Sequence, residues 1–397
     1  MKVFLVAGEP SGDRLGAALM AGLRALRPDI AFDGVGGTLM EAQGLESRFP
    51  MSDLTVMGLA EVLPRYPLLR RRLAETVAAV RAARPDVLVT VDSPDFGLRV
   101  ARALPGVRRV HYVAPTIWAW RPGRARRLRG VVDHLLALFP FEPPLWAAHG
   151  IPCDFVGHPA AAEPVATEAE ARAFRGAFGI GDAPLVLVLP GSRGGEVARL
   201  APRFGEALAL AAAERPGLRA VLPVAPGMES AVAAQAERWP LRPLLLPPRA
   251  GPLAQETRRA AFRAADAALA ASGTVSLELA AAGTPMVIGY DMAWATWQVL
   301  RRMVRLETVT LVNIVSETRA VPELLGPACR SPALARALLA VLDDPAAQRA
   351  AMDLAMERLG RGGEAPGLRA ARALLGRMGQ AAEAIQPPPS TRLPSGA

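Results

Sequence analysis

The chain of 397 residues has two cysteines, Cys153 and Cys329, far apart and without a C-x-x-C neighbour. That spacing excludes a disulfide framework and a cysteine-based zinc site, and leaves two reduced thiols as the expectation. Lysine is nearly missing. Lys2 is the only one, so 45 of the 46 basic residues are arginine, in a sequence also rich in alanine, glycine and proline. Asparagine occurs once, as Asn313, and a residue type kept once in so biased a composition marks a position that needs it. Aromatic residues make up 5% of the chain. With no RNA- or DNA-reading motif beside them, nucleic acid is the weakest partner for a net charge of +9, behind an anionic membrane surface and phosphorylated substrates. No uncharged apolar run approaches the roughly 18–20 residues of a membrane span. The start, MKVFLVAGE, enters a strand directly, with no signal-peptide pattern, so a cytosolic protein is expected. There is no D-x-D to clamp a metal–diphosphate and no G-x-x-x-x-G-K-[ST], so a Walker P-loop is excluded.

What is present is a repeated local pattern of buried strand, Gly-rich turn and helix start. LVLVLPGSRGGE at 185–196 states it most fully. A strand breaks at Pro190-Gly191, turns through Ser192-Arg193-Gly194-Gly195 and enters a helix at Glu196. Free backbone N–H groups and the positive end of a helix dipole favour an anion there. Glycine lets a phosphate approach the backbone, and Arg193 can add a forked contact. An ordinary strand-to-helix turn with a surface arginine fits the local pattern equally. A second corner, Ser272-Gly273-Thr274, leads to Glu278, whose carboxylate can accept from both hydroxyls of a ribose.

The first half carries corners of the same kind. VFLVA at 3–7 precedes G-E-P-S-G-D at 8–13, where Ser11 or Asp13 is placed either to cap the following helix or, for Ser11, to line a ligand site. VLVTV at 87–91 ends in Asp92-Ser93-Pro94-Asp95-Phe96, and carboxylates at the C-terminal end of a parallel strand lie where open α/β sheets bind ligands. The two acids read as a base and a structural cap. His111, in a strand that runs into T-I-W-A-W-R at 116–121, reads as a general acid/base or as a satisfied, half-buried histidine. The stretch at 54–73 sets Val56, Met57, Leu63, Tyr66 and Leu69 beside Arg65, Arg70, Arg71 and Arg72, a composition suited to a membrane interface or a greasy substrate, or to a core helix with a basic end. Pro64 and Pro67 are expected to interrupt any regular helix there.

Further strands are expected near 219–224, 243–246, 266–271 and 285–289, helix over 331–358, a last helix over 364–385, and a disordered tail at 386–397. The alternation predicts an α/β protein of two Rossmann-like, doubly wound domains facing a central cleft. The first covers 1–165 and is completed by the last helix; the second covers 166–360.

Together and in order, G-E-P-S-G-D, D-S-P-D-F, H-Y-V-A-P-T-I-W-A-W-R, L-P-G-S-R-G-G-E, S-G-T-x-x-L-E and N-I at 313–314 resemble the lipid-A-disaccharide synthases, glycosyltransferases of the GT-B fold, over about residues 3–375. The resemblance implies an inverting transfer. The 6-hydroxyl of a diacylglucosamine 1-phosphate attacks the anomeric carbon of UDP-diacylglucosamine and releases UDP. It implies Asp92 as base, with Arg193, His111 and Ser11 in the catalytic group. It further implies nucleotide binding by Gly191, Ser192, Arg193, Glu196, Ser272, Gly273, Thr274, Glu278 and Asn313. The 54–73 stretch becomes a patch for the acyl chains and the inner membrane. No cofactor or metal is called for, and an oligomer is left open. Gly97 and Gly326 depart from the family's usual asparagine and glutamine, and Ala114 from its serine. Another UDP-sugar enzyme, of peptidoglycan-transferase or epimerase type, and a non-catalytic binder of nucleotide or anionic lipid are the rival readings.

Overall fold

The computed structural model describes residues 1–55, 59–118, 123–248, 251–292, 297–298 and 307–385, with the backbone alone at 59–63, 252 and 380–385. The expected tail at 386–397 lies outside the described residues. The chain divides into two units. One holds Met1–Ile117, Pro122–Gly157 and the C-terminal segment from Gly363. The other holds His158–Gly362 together with Trp118.

The first unit is a six-stranded parallel sheet of β1 (Lys2–Ala7), β2 (Ala31–Val35), β3 (Val87–Val91), β4 (Arg109–Tyr112), β5 (His134–Ala137) and β6 (Cys153–Phe155). Its order is β2-β1-β3-β4-β5-β6. Near-continuous Val/Leu runs form the central strands because both faces of a parallel sheet are covered by helices, and β1, β3 and β4 are accordingly buried along most of their length. Only glycine fits at Gly34 of β2, where a Cβ would stand 1.8 Å from the Leu5 carbonyl oxygen of β1. The C-terminal helix Pro366–Ile385 closes this unit against the helix Pro10–Leu26. Close approach depends on Gly22 and Gly367, since a Cβ on Gly22 would sit 2.5 Å from the Gly367 carbonyl. Arg377 then pairs with Asp154, which also accepts from His134, and Arg369 lies over the Phe155 ring.

The second unit repeats the plan with β7 (Leu185–Leu189), β8 (Arg219–Pro223), β9 (Leu244–Leu246), β10 (Ala267–Ala271), β11 (Met286–Tyr290) and β12 (Glu323–Leu325). All six are parallel, in the order β12-β11-β10-β7-β8-β9. This is the 3-2-1-4-5-6 order of a doubly wound nucleotide-binding sheet.

Two expectations about helices need correction. The helix Leu59–Ala83 runs through Pro64 and Pro67 without a break. Beyond the prolines, Arg72 pairs with Asp53 and Glu75, and Thr76 donates to the Arg72 carbonyl. The helix expected over 331–358 is two, Ser331–Asp343 and Ala346–Arg358. They part at Asp344, which precedes Pro345 and takes an extended φ of −137°.

Candidate functional site

A doubly wound sheet binds ligands outside the C-terminal ends of its strands, at the point where the winding reverses. In the first unit that point lies between β1 and β3. Ala7 sits opposite Val91 in the parallel register, so Gly8 and Asp92 leave the sheet side by side. Two crossed hydrogen bonds tie the loops together. Ser11 Oγ donates to Asp92 Oδ2 at 2.7 Å, and Ser93 Oγ donates to Glu9 Oε1 at 3.0 Å. Gly12 makes the approach feasible, because a Cβ there would stand 3.0 Å from the Val91 carbonyl. Asp92 and Ser93 both have positive φ, 53° and 41°, and Val113 at the end of β4 has 77°. Left-handed backbone at three non-glycine residues is sparsely populated and gathers at functional sites. Asp92 is held in it by its amide, which donates to the Tyr112 carbonyl at 2.9 Å.

Neither Ser11 nor Asp13 caps the helix Pro10–Leu26, whose N-cap is Glu9. Asp13 is buried and accepts from the amides of Gly37, Leu39 and Met40, fixing the turn after β2. Asp95 caps nothing; its side chain is 99% exposed and lies 3.8 Å from Arg124. Glu9 and Ser93 were left without a role by sequence reading. The signal was available, since each stands two residues beyond a buried strand.

His111 does not meet the expectation of a group trading protons with substrate. It is fully buried within β4, and its Nδ1 lies 2.7 Å from Thr90 Oγ1. Burial, followed by the charge of Arg124, pushes its pKa down to about 3, so it stays neutral. It lies beside β3 in the sheet, opposite Thr90, which stands two residues before Asp92. Gly97 packs on the same Thr90; a Cβ there would meet Thr90 Cβ at 2.9 Å. Thr90 fills the space that a longer residue at 97 would enter. Gly326 has φ of +54°, a conformation that a glutamine adopts only with strain.

In the second unit the reversal lies between β7 and β10, which are neighbours. Both Gly-rich corners therefore sit side by side, although some eighty residues separate them in sequence. Gly191 has φ of +118° and Gly273 of +145°. A Cβ on Gly194, Gly195 or Gly273 would meet no described atom within 4 Å, so the space beside these glycines is open to a ligand. Arg193 stands at the N-cap of the helix Gly194–Glu214 with its side chain 68% exposed. Thr274 occupies the matching N-cap of Val275–Ala282, exposed and making no capping bond. Ser276 Oγ donates to the Gly273 carbonyl and braces the turn beside Ser272. Glu278, in the first turn, pairs with Arg258 at 2.8 Å, and Arg258 stacks over Phe262. Arg258 is a further residue that sequence reading missed, because nothing local connects it to Glu278.

Two expected nucleotide residues behave otherwise. The Glu196 carboxylate turns back on the corner, accepting from the Ser192 amide and pairing with Arg193, both at 3.2 Å. A negative group there is not itself a phosphate ligand. Asn313 does not line an open site. It is 2% exposed, donates to the Val321 carbonyl and accepts from the Val321 amide.

Of the expected acyl-contact residues, Val56 and Met57 lie outside the described residues, as does the side chain of Leu63. Tyr66 is 47% exposed, and Arg70 and Arg71 are exposed. Leu69 packs against Val35, Phe49 and Leu54 instead. Ala119, Trp120 and Arg121 also lie outside the described residues. Among the described residues no group of three His, Cys, Asp or Glu side chains could hold a metal, and no helix is long and apolar enough to cross a membrane.

Comparison with known proteins follows the same lines. A family model described as lipid-A-disaccharide synthetase matches residues 3–366. A lipid-A-disaccharide synthase of Ruegeria pomeroyi is 61% identical over 383 residues, covering 95% of this chain and 96% of the relative. That of Pseudomonas aeruginosa is 44% identical over 353 residues, covering 88% and 91%. Among solved structures, the Neisseria meningitidis UDP-GlcNAc 2-epimerase bound to UDP-GlcNAc superposes with a TM-score of 0.60 at 12% identity, covering 96% of this chain and all of that one. Staphylococcus aureus MnaA with UDP gives 0.64, also at 12% identity, with 99% and 100% covered. At that identity the likeness is one of fold.

Proposed function

Because the chain belongs to the lipid-A-disaccharide synthase family, we propose a division of labour in which the two reversal points carry the two halves of the transfer. The enzyme is a glycosyltransferase of lipid A biosynthesis, built from two Rossmann-like α/β units of the GT-B class. It joins UDP-diacylglucosamine to diacylglucosamine 1-phosphate and releases UDP. The likeness to epimerases is one of fold alone and gives the epimerase reading no separate support.

Asp92 is the base for the acceptor's 6-hydroxyl. A carboxylate is a weak base, so it takes the proton as the new carbon–oxygen bond forms. Ser11 orients it by donating to Oδ2, which leaves Oδ1 for the hydroxyl. In the second unit, the backbone amides of the 191–195 corner and the Arg193 guanidinium receive the diphosphate charge that grows as UDP departs. Thr274 and the amide of Gly273 add donors from the neighbouring corner. Glu278 accepts from the ribose hydroxyls, held in place by Arg258. The observation that carries this reading is the pairing of the two Gly-rich corners at the reversal point of one sheet. The test is UDP release from UDP-diacylglucosamine with and without the monosaccharide acceptor. Release that depends on acceptor supports the transferase, and UDP binding with no release under either condition points to a binder.

Arg193→Ala is expected to weaken UDP binding about 10- to 100-fold, the loss of a charge-assisted contact of roughly 1.5–3 kcal/mol. Titration calorimetry checks it, and unchanged affinity removes Arg193 from the diphosphate site. The substrates carry acyl chains, and the first stretch of the helix Leu59–Ala83 exposes Tyr66 beside Arg70 and Arg71. This face is assigned to a peripheral contact with the anionic cytoplasmic leaflet of the inner membrane. Each arginine near such a surface contributes roughly 1 kcal/mol. Reversing two charges with Arg70→Glu/Arg71→Glu should therefore release the protein from phosphatidylglycerol vesicles in sedimentation and lower its melting temperature only slightly, through loss of the exposed Arg71–Glu75 pair. Full retention on the vesicles would rule this face out.

A further inference from the structure

The corner proposed to hold the diphosphate is already engaged by a carboxylate of its own chain. Glu196 Oε2 accepts from the Ser192 amide and Oε1 from the Arg193 guanidinium, each at 3.2 Å. These are two of the donors assigned to the phosphates. The fit is built in by Gly191, where a Cβ would fall 2.6 Å from Glu196 Oε2 and 2.7 Å from Glu196 Cβ. Any larger residue at 191 would push the carboxylate out. A Cβ on Gly194 or Gly195 would meet no described atom within 4 Å, so the space beside these two residues is open. Glu196 itself lies in the first turn of its helix, where the dipole favours a negative charge.

We propose that Glu196 is an internal competitor for the diphosphate, and so a residue that sets how tightly the enzyme holds UDP. The carboxylate neutralises Arg193 and fills the Ser192 amide when the site is empty. A nucleotide diphosphate brings more negative charge to the same donors and displaces it. Apparent affinity is then the intrinsic affinity reduced by the fraction of molecules whose corner is free. The same competition acts when UDP leaves, because the returning carboxylate replaces the contacts that the product gives up. This inference rests on the diphosphate reading of the corner.

The experiment is calorimetric titration of the full-length protein and its Glu196→Gln variant with UDP and with uridine. Glutamine keeps an oxygen for the Ser192 amide and removes the charge, so the turn is preserved. UDP is expected to bind Glu196→Gln at least fivefold more tightly than wild type, with uridine, which has no phosphate, binding both alike. Glu196→Ala, which vacates the donors altogether, should show the same gain. UDP affinity equal to or below wild type in both variants overturns the proposal, as does an equal gain for uridine. Arg193→Ala in parallel separates the two levels. If it leaves UDP affinity unchanged, the diphosphate reading has failed. If it weakens UDP while the Glu196 variants gain nothing, only the competition has failed.

Discussion

Asp92→Asn should fold as the wild type does and lose about 10²- to 10⁴-fold in turnover, the usual contribution of a positioned general base. Asparagine is the right substitution for a backbone reason. Asp92 sits at φ +53°, and next to glycine, asparagine and aspartate are the residues that accept this region at least cost. An alanine there would add strain to the chemical loss and confuse the two. The amide oxygen can still accept from Ser11 Oγ, and the backbone bond to the Tyr112 carbonyl is untouched. What disappears is the capacity to take a proton. Acceptor-dependent UDP release measures the turnover, and thermal unfolding checks the fold. UDP affinity, governed by the other unit, should not move. Wild-type turnover in this variant would end the assignment of Asp92 as base. The neighbouring carboxylate of Glu9, tied to the same loop through Ser93, would then be the next residue to replace.

How much of this was legible in the sequence depends on the range of the interaction involved. Strands such as LVLVL at 185–189 and VLVTV at 87–91 declare themselves, because a parallel strand buried on both faces needs a near-continuous apolar run. The Gly-rich corners are equally local. That the corners at 190–195 and 272–274 adjoin is not local; it follows from β10 pairing with β7. β12 is three half-buried residues and becomes a strand only by pairing with β11. Arg258 and Glu9 were silent for the same reason: their partners come from other elements. Pro64 and Pro67 mislead in the opposite direction, since the helix continues through both. His111 looked chemical because histidine is rare here, with four in the chain, yet rarity does not distinguish a site from a core.

Asn313 is the sharpest instance, and replacing it should have the second large effect, on the fold. Its side chain uses both of its ends. Nδ2 donates to the Val321 carbonyl at 2.9 Å, to Thr308 Oγ1 at 3.2 Å and to Glu323 Oε1 at 3.3 Å, while Oδ1 accepts from the Val321 amide at 2.9 Å. Glu323 in turn accepts from the amides of Val309 and Thr310 and from the Thr308 hydroxyl. The network pins the helix Leu311–Ser316 to the approach to β12, which closes the edge of the second sheet. Asn313→Ala would leave the Val321 amide and carbonyl buried without those partners, at roughly 1–3 kcal/mol each. A loss of about 2–6 kcal/mol is therefore expected, a large share of a typical domain's stability. Aspartate would not rescue it, since it offers no N–H to the Val321 carbonyl. Urea unfolding followed by circular dichroism measures the loss. The folded fraction should keep its KM for the sugar nucleotide, because the side chain is 2% exposed and its hydrogen bonds are taken up by Val321, Thr308 and Glu323. An unchanged unfolding midpoint together with a large rise in KM would return Asn313 to the substrate. The single asparagine in the chain is then kept because its amide satisfies a buried N–H and a buried carbonyl of one residue at once through two separate atoms, Oδ1 and Nδ2.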